Sequence, residues 1–341
     1  MVLLMPVQTW ALDFGNDQHR GNRKEQEDYF ASFSPVRGVV NSDSGFLAVM
    51  ADGMGGHTSG AKASVLAVNT FVEAYKRKPP GQTISDALSD ALRSANQKLV
   101  DANIKMGHDS DMGTTLVAVV IQANRLFWAS VGDSRIFLYR GGRLMDVNES
   151  HSYGAELDVR RRLDQISTEE LEANKKNRGM LTSYLGLKDI PRVDISSRPI
   201  DLCPGENVLI CTDGLVDALT SNEIAMLLRP KGSAQEKCEE LIQHALKKKL
   251  PQQDNITIIL LELKNDAKDQ ATETTDQITD QTLDDVTVSL DTLNYRYADD
   301  IEQTLEITTP MATTKRPGLM VSLAIALIVL VIAAVCIYLL L

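Results

Sequence analysis

Five short segments of this 341-residue chain carry acidic residues where a strand should begin or end: Glu27 with Asp28, then Asp52, Asp133, Asp213 and Asp254. Strands of one sheet that end on the same side would bring these carboxylates together, and such a cluster does not stay ionised without a cation. Every donor is oxygen, with no His or Cys at comparable positions, so a hard octahedral ion such as Mg²⁺ or Mn²⁺ is favoured over zinc. Arg23 lies in the same segment as Glu27, and a planar guanidinium there suits a pair of phosphate oxygens. Two ions about 3.5–4 Å apart can activate a shared water for in-line attack on phosphorus. The chemistry this points to is hydrolysis of a phosphate ester.

The elements that must position these groups centre on residues 46–60, Phe-Leu-Ala-Val-Met-Ala-Asp-Gly-Met-Gly-Gly-His-Thr-Ser-Gly. An apolar run too short for a helix reads as a strand buried on both faces, and it delivers Asp52 into glycine-dense backbone. Taken singly, Asp-Gly is ordinary turn chemistry. A second strand ending the same way, 207–214 with Asp213-Gly214, makes the arrangement a pattern.

Further strands are predicted near 7–14, 29–33 and 256–263, with a polar loop at 15–22. Helices are predicted at 61–75, 84–106 after Thr83 as cap, and 234–249, with a short one capped by Ser221-Asn-Glu. Residues 114–121, 126–131 and 135–139 read as an antiparallel meander. The charged stretch 152–180 reads as a helical surface flap, its basic clusters as a solvated face.

The formal net charge is −11, and the stretch 265–314 holds twelve acids against Lys268 and Arg296. The remainder is near neutral, and no basic run argues for nucleic acid. Cys203, Cys211, Cys238 and Cys336 show neither zinc nor disulfide spacing. The opening Met-Val-Leu-Leu-Met-Pro lacks the basic flank and length of a secretory signal. These features divide the chain into a catalytic domain at 1–264, an acidic, Thr-rich disordered tether at 265–318, and a transmembrane helix at 319–341. The last stretch has no charged residue, and Lys315 and Arg316 precede it. By the positive-inside rule it makes a single-pass anchor with the catalytic domain cytoplasmic.

Six segments, in order, resemble the metal-dependent protein phosphatase 2C family in its bacterial form: Arg23-x-x-x-Glu27-Asp28, Ala51-Asp52-Gly53-Met54-Gly55-Gly56-His57, Met112-Gly113-Thr114-Thr115, Val131-Gly132-Asp133-Ser134-Arg135, Thr212-Asp213-Gly214-Leu215 and Gln253-Asp254-Asn255-Ile256-Thr257. The resemblance covers roughly 9–263. It implies an α+β fold, a central β-sandwich of two antiparallel sheets with helices on both outer faces (α-β-β-α). It also implies that Asp52 bridges two ions, that Asp213 and Asp254 complete the first, and that Glu27 with the Gly53 carbonyl holds the second. Asp28 would hydrogen-bond metal waters, Arg23 would bind phosphate, and Asp133 with Asp213 would match a weaker third site. The implied substrates are phosphoserine and phosphothreonine in proteins, and the implied partners are those phosphoproteins and a partner serine/threonine kinase.

Three positions depart from the family pattern. Met54 stands where many eukaryotic members carry a His proposed as general acid, and the role is not carried to His57. Gln26 replaces the usual Asn before Glu27-Asp28, and Ser150-His151-Ser152 replaces Asp-His-Ser. The competing expectation is a catalytically weak, phosphoprotein-binding pseudo-phosphatase of the same fold. Loss of a ligand carboxylate would favour it, and none is missing.

Overall fold

The computed structural model describes residues 10–34, 40, 42–55, 59–107 and 112–265. The tether and anchor expected at 265–318 and 319–341 lie outside the described residues but for Asn265, as does His57. Among the described residues no helix is long and apolar enough to cross a membrane.

Two antiparallel sheets face each other. The first carries β1 (Trp10–His19), β12 (Ile256–Asn265), β11 (Asn207–Cys211), β7 (Arg135–Arg140) and β8 (Arg143–Asp146), in that order. The second carries β10 (Ile200–Asp201), β6 (Arg125–Val131), β5 (Leu116–Gln122), β3 (Phe46–Met54) and β2 (Asp28–Phe33). Two short strands flank it, β4 (Gly113–Thr114) on β3 and β9 (Asp194–Ile195) on β6.

Alternate side chains of the central strands serve different layers, which is why these strands are apolar throughout. In β11, Val208 and Ile210 point into the space between the sheets with Met50, Val117, Val119 and Ile259. Leu209 and Cys211 point outward beneath α5 (Asp213–Ala218), α6 (Ser221–Leu228) and α7 (Ala234–Lys247). On the opposite outer face α1 (Ser59–Lys76) covers β2 and β3, while α2 (Ile84–Met106) packs on α1 and β6. The layers are therefore α-β-β-α, as expected. In α2, Ala87, Leu88, Ala91, Leu92, Ala95 and Leu99 share a face by helical spacing and are all buried, and Thr83 caps the helix by accepting the Asp86 N–H.

Three readings of the sequence need correction. The polar stretch after Phe14 is not a loop: β1 runs on to His19, paired residue for residue with β12 as far as His19↔Ile256. An edge strand can carry polar side chains because one side of its backbone stays unpaired; here Asn16 and Asp17 are half-buried and Gln18 and His19 exposed. Residues 114–139 are not a meander, because β5 and β6 pair in one sheet while β7 pairs with β11 and β8 in the other. Gly132-Asp133-Ser134 is thus the crossing between sheets. The cap of α6 is Thr220, not Ser221, in a reciprocal box with Glu223.

The charged stretch is helical, with α3 (Tyr153–Arg162) and α4 (Thr168–Ala173). Its two ends are tied together by Tyr153 N–H to Met180 O at 2.8 Å and Gly154 N–H to Arg178 O at 2.8 Å. Cys203, Cys211 and Cys238 are free thiols.

Candidate metal centre

One end of the sandwich holds a cavity of about 390 Å³, lined among others by Arg23, Glu27, Asp52, Gly53, Asp133, Asp213 and Asp254. Asp28 lies just behind it. In the β2–β3 pair Asp28 sits directly opposite Asp52, which places two carboxylates side by side at the ends of neighbouring strands. Asp133 arrives on the crossing between sheets, Asp213 opens α5 immediately after β11, and Asp254 precedes β12. All seven acidic or carbonyl-bearing positions read from the sequence, together with Arg23, therefore gather here.

Residues to which the sequence reading gave no such part hold them in place. Asn255 accepts the Glu27 N–H at 2.8 Å through Oδ1 and donates through Nδ2 to the carbonyls of Arg20 at 2.8 Å and Glu25 at 3.1 Å. That clamp brings the Arg23–Glu27 loop to Asp254, and the Arg23 guanidinium donates to Asp254 Oδ2. Thr212 and Thr257 donate to the same oxygen of Asp28, at 3.0 and 2.7 Å. Thr114 Oγ1 donates to the Asp52 carbonyl at 2.7 Å, and Thr115 Oγ1 accepts the Asp52 N–H at 3.0 Å. The sequence reading had left Thr114 and Thr115 as strand residues near the site. Two consecutive threonines at the mouth of a buried apolar strand were the available signal, since buried hydroxyls need partners, and here they find the Asp52 main chain and Ser134. Gly179, Met180 and Leu181 of the flap also line the cavity. Gln26 is a difference without a visible compensation: its amide is buried with no partner among the described residues.

The carboxylates suffer from their own company. Burial lifts Asp28 to about 7 against the pull of its two threonines, and Asp254 adds to the rise. Burial lifts Asp52 well above the usual carboxylate range, helped by Asp28, Asp213, Asp133 and Asp254. Asp213 is raised likewise by burial, then by Asp133, Asp254 and Asp217. Asp133 is pushed to about 6, chiefly by burial. Glu27 rises through burial, with Arg23 opposing. A site that penalises its own charges this strongly calls for positive charge.

The donor atoms fit divalent ions. Among the described residues Asp28 Oδ1 and Asp213 Oδ1 are buried with no hydrogen-bond partner of good geometry, an expensive state that a cation or its water would relieve. Among the described residues no three of these carboxylates close on one point as a finished cage. The oxygen donors themselves suit a hard divalent ion, Mg²⁺ or Mn²⁺. Among the described residues every side-chain donor lining the cavity is oxygen or guanidinium nitrogen apart from the thioethers of Met54 and Met180, a set that favours a hard cation.

Gly53 and Gly214 allow the close approaches. A Cβ on Gly53 would lie 2.0 Å from the Gly60 carbonyl oxygen and 2.7 Å from that of Glu27. One on Gly214 would lie 2.1 Å from the Asn255 oxygen, so backbone would have to move beside both Asp213 and Asp254. Gly214→Ala is expected to destabilise the domain by about 1–3 kcal/mol. Urea unfolding checks it, and an unchanged midpoint would mean the α5–β12 contact yields freely.

Residues 16–253 match the family model described as protein phosphatase 2C. The serine/threonine phosphatase stp of Listeria monocytogenes is 30% identical over 225 residues, covering 65% of this chain and 86% of that protein. The serine/threonine phosphatase PstP/Ppp of Mycobacterium tuberculosis superposes with a TM-score of 0.60 at 27% identity, over 75% of this chain and all of that one. A catalytic domain of PstP solved in complex with 2 manganese ions gives a TM-score of 0.60 at 26% identity, over 75% of this chain and 100% of that one.

Proposed function

Because the chain belongs to the protein phosphatase 2C family and is a protein-serine/threonine phosphatase of that type, we propose that it hydrolyses phosphoserine and phosphothreonine in proteins at the cavity around Asp52. It uses Mn²⁺ or Mg²⁺, as the family does. The observation that carries the reading is the convergence of Glu27, Asp52, Asp133, Asp213 and Asp254 with Arg23 on one cavity, with carboxylate oxygens left bare beside it.

In this reading Asp52, Asp213, Asp254, Glu27 and the Gly53 carbonyl hold two ions, and Asp133 with Asp213 offers a third position. When bound, the ions supply an activated water and neutralise charge developing on the phosphoryl oxygens. Arg23, half exposed at the rim, grips the phosphate; its contact with Asp254 fixes its direction. Asp28 uses Oδ2 for Thr212 and Thr257, which leaves Oδ1 to accept a hydrogen bond from a water at the centre. Met54 lines the cavity and carries no proton to give, so the leaving serine or threonine oxygen takes its proton from water. The flap residues Met180 and Leu181 present an apolar wall to residues flanking the phosphorylated one.

Arg23→Ala is expected to raise the KM for a phosphothreonine peptide on the order of tenfold, the loss of one charge-assisted contact, with a smaller change in kcat. Unchanged KM would remove Arg23 from the substrate.

The cellular half of the proposal is that residues 319–341 anchor the enzyme to a membrane with the cavity on the cytoplasmic side, near a partner kinase and its targets. The uncharged stretch behind Lys315 and Arg316 supports it. The deciding assay uses the full chain in non-ionic detergent on a phosphothreonine peptide, with Mn²⁺ and with EDTA. Metal-dependent release of phosphate is expected. Mn²⁺ binding without turnover of this peptide or of p-nitrophenyl phosphate would replace the hydrolase with a phosphoprotein-binding protein.

A further inference from the structure

A second cavity, of about 370 Å³, lies at the other end of the first sheet. Its wall includes Asn207 at the start of β11 and Glu262 and Lys264 near the end of β12, whereas the metal centre takes the opposite ends of the same strands. Eight residue steps of β12 separate Ile256 from Lys264, roughly 27 Å. Four cations line this cavity: Arg229, Lys231, Lys237 and Lys264. They come from the α6–α7 connection, α7 and β12, so no basic run shows in the sequence.

Two of the four are already neutralised. Lys237, almost fully buried, donates to Glu262 Oε2 at 2.8 Å and to Asn207 Oδ1 at 3.3 Å. Lys264 meets Asp13 Oδ2 at 2.8 Å. Arg229 and Lys231 are exposed, and neither has an ion pair or hydrogen bond among the described residues. Lys231 also borders an adjoining cavity with Glu236, Glu239 and Glu240, but none of these carboxylates lines this one, so Arg229 and Lys231 present it with two cations without an ion-pair partner among the described residues, a recognition surface for carboxylates.

The chain itself delivers them. Lys264 forms part of the wall, and the next residues bring Asp266, Asp269, Glu273 and Asp276 against Lys268 alone. Twelve residues from Lys264 to Asp276 span at most about 40 Å, enough to reach any point of the cavity. Attachment this short gives an effective concentration in the millimolar range, so even a weak site fills.

We propose that this cavity is a docking site for an acidic peptide, and that its occupant is the stretch of the same chain beginning at Asp266. The docked segment lies away from the metal centre and leaves the substrate cavity open. The proposal does not depend on the phosphatase reading.

Carbodiimide coupling with mass spectrometry on the full chain in detergent tests it, with Lys231 as reporter because its position is remote from 266 in sequence. Lys231 is expected to link to carboxylates within 266–276 of the same molecule. The yield should fall roughly fivefold or more in Arg229→Glu, and also in the wild type at about 0.5 M NaCl, since the attraction is between exposed charges. Phosphatase activity of Arg229→Glu should match the wild type, which reports an intact fold. Were that variant to misfold, Arg229→Gln and the salt series on the wild type still decide. Links that are absent, equal in variant and high salt, or formed between isotopically distinct chains overturn the proposal; the last would make the occupant a second copy.

Discussion

Asp52→Asn is expected to lower metal-dependent turnover by about 10³-fold or more, the scale set by losing several kcal/mol of charge stabilisation at the reacting phosphate. The substitution keeps the shape of the side chain, and the main chain at 52 is pinned independently by Thr114 and Thr115. Loss of activity should therefore not come from loss of fold. Stability should move the other way. Asp52 is raised well above the usual range by burial and by four neighbouring carboxylates, so a neutral amide removes repulsion that the metal-free protein must bear. The metal-free variant should melt above the metal-free wild type, while the gain on adding Mn²⁺ shrinks. Thermal melts with EDTA and with Mn²⁺, beside peptide turnover, read both effects. Turnover within tenfold of wild type, with the Mn²⁺ gain intact, would take Asp52 out of the metal site.

The same residue shows why so much of the site was legible in sequence. Asp52 and Asp213 each end an apolar run that must be buried, and a charge in such a place needs a reason that local turn chemistry does not provide. Short apolar strands were equally readable, because sheets covered on both faces leave no polar alternation to confuse them. What stayed hidden depends on partners distant in sequence. Whether β7 pairs with β6 or with β11 is decided at Gly132-Asp133-Ser134, a sequence that suits a hairpin as well as a crossing. The register of β1 against β12 brings Asn16–His19 into a strand that their own polarity argues against. Asn255 clamps a loop more than 200 positions away, and the motif that contains it does not say which backbone it holds. Arg229, Lys231, Lys237 and Lys264 share a cavity although three elements separate them. The chemistry of the centre is written in residue types, but its supports exist only in three dimensions.

Burial of the centre's carboxylates sets the second large effect, the response of the metal-free protein to pH. Asp28 titrates near 7 in the folded protein and near 3.8 when unfolded; Asp133 titrates near 6 against the same reference. Between these values the folded state holds protons that the unfolded state has released, so stability falls as pH rises through the window. Asp28 alone accounts for on the order of 4 kcal/mol between pH 4 and pH 8, or a melting shift near 10 °C for a domain of this size. Asp52 and Asp213 act in the same direction through their raised values. Bound ions reverse the logic, because they favour the ionised carboxylates and compete with the protons. In EDTA the melting temperature should therefore drop from pH 5 to pH 8, and the increase produced by Mn²⁺ should grow over the same range. Asp28→Asn should make the EDTA profile shallower, since it removes one of these titrations while keeping most of the side chain's shape. An EDTA profile that rises with pH would mean the carboxylates are paired or hydrogen-bonded well enough to stay charged without metal, and the case for a cation-demanding centre would fail with it.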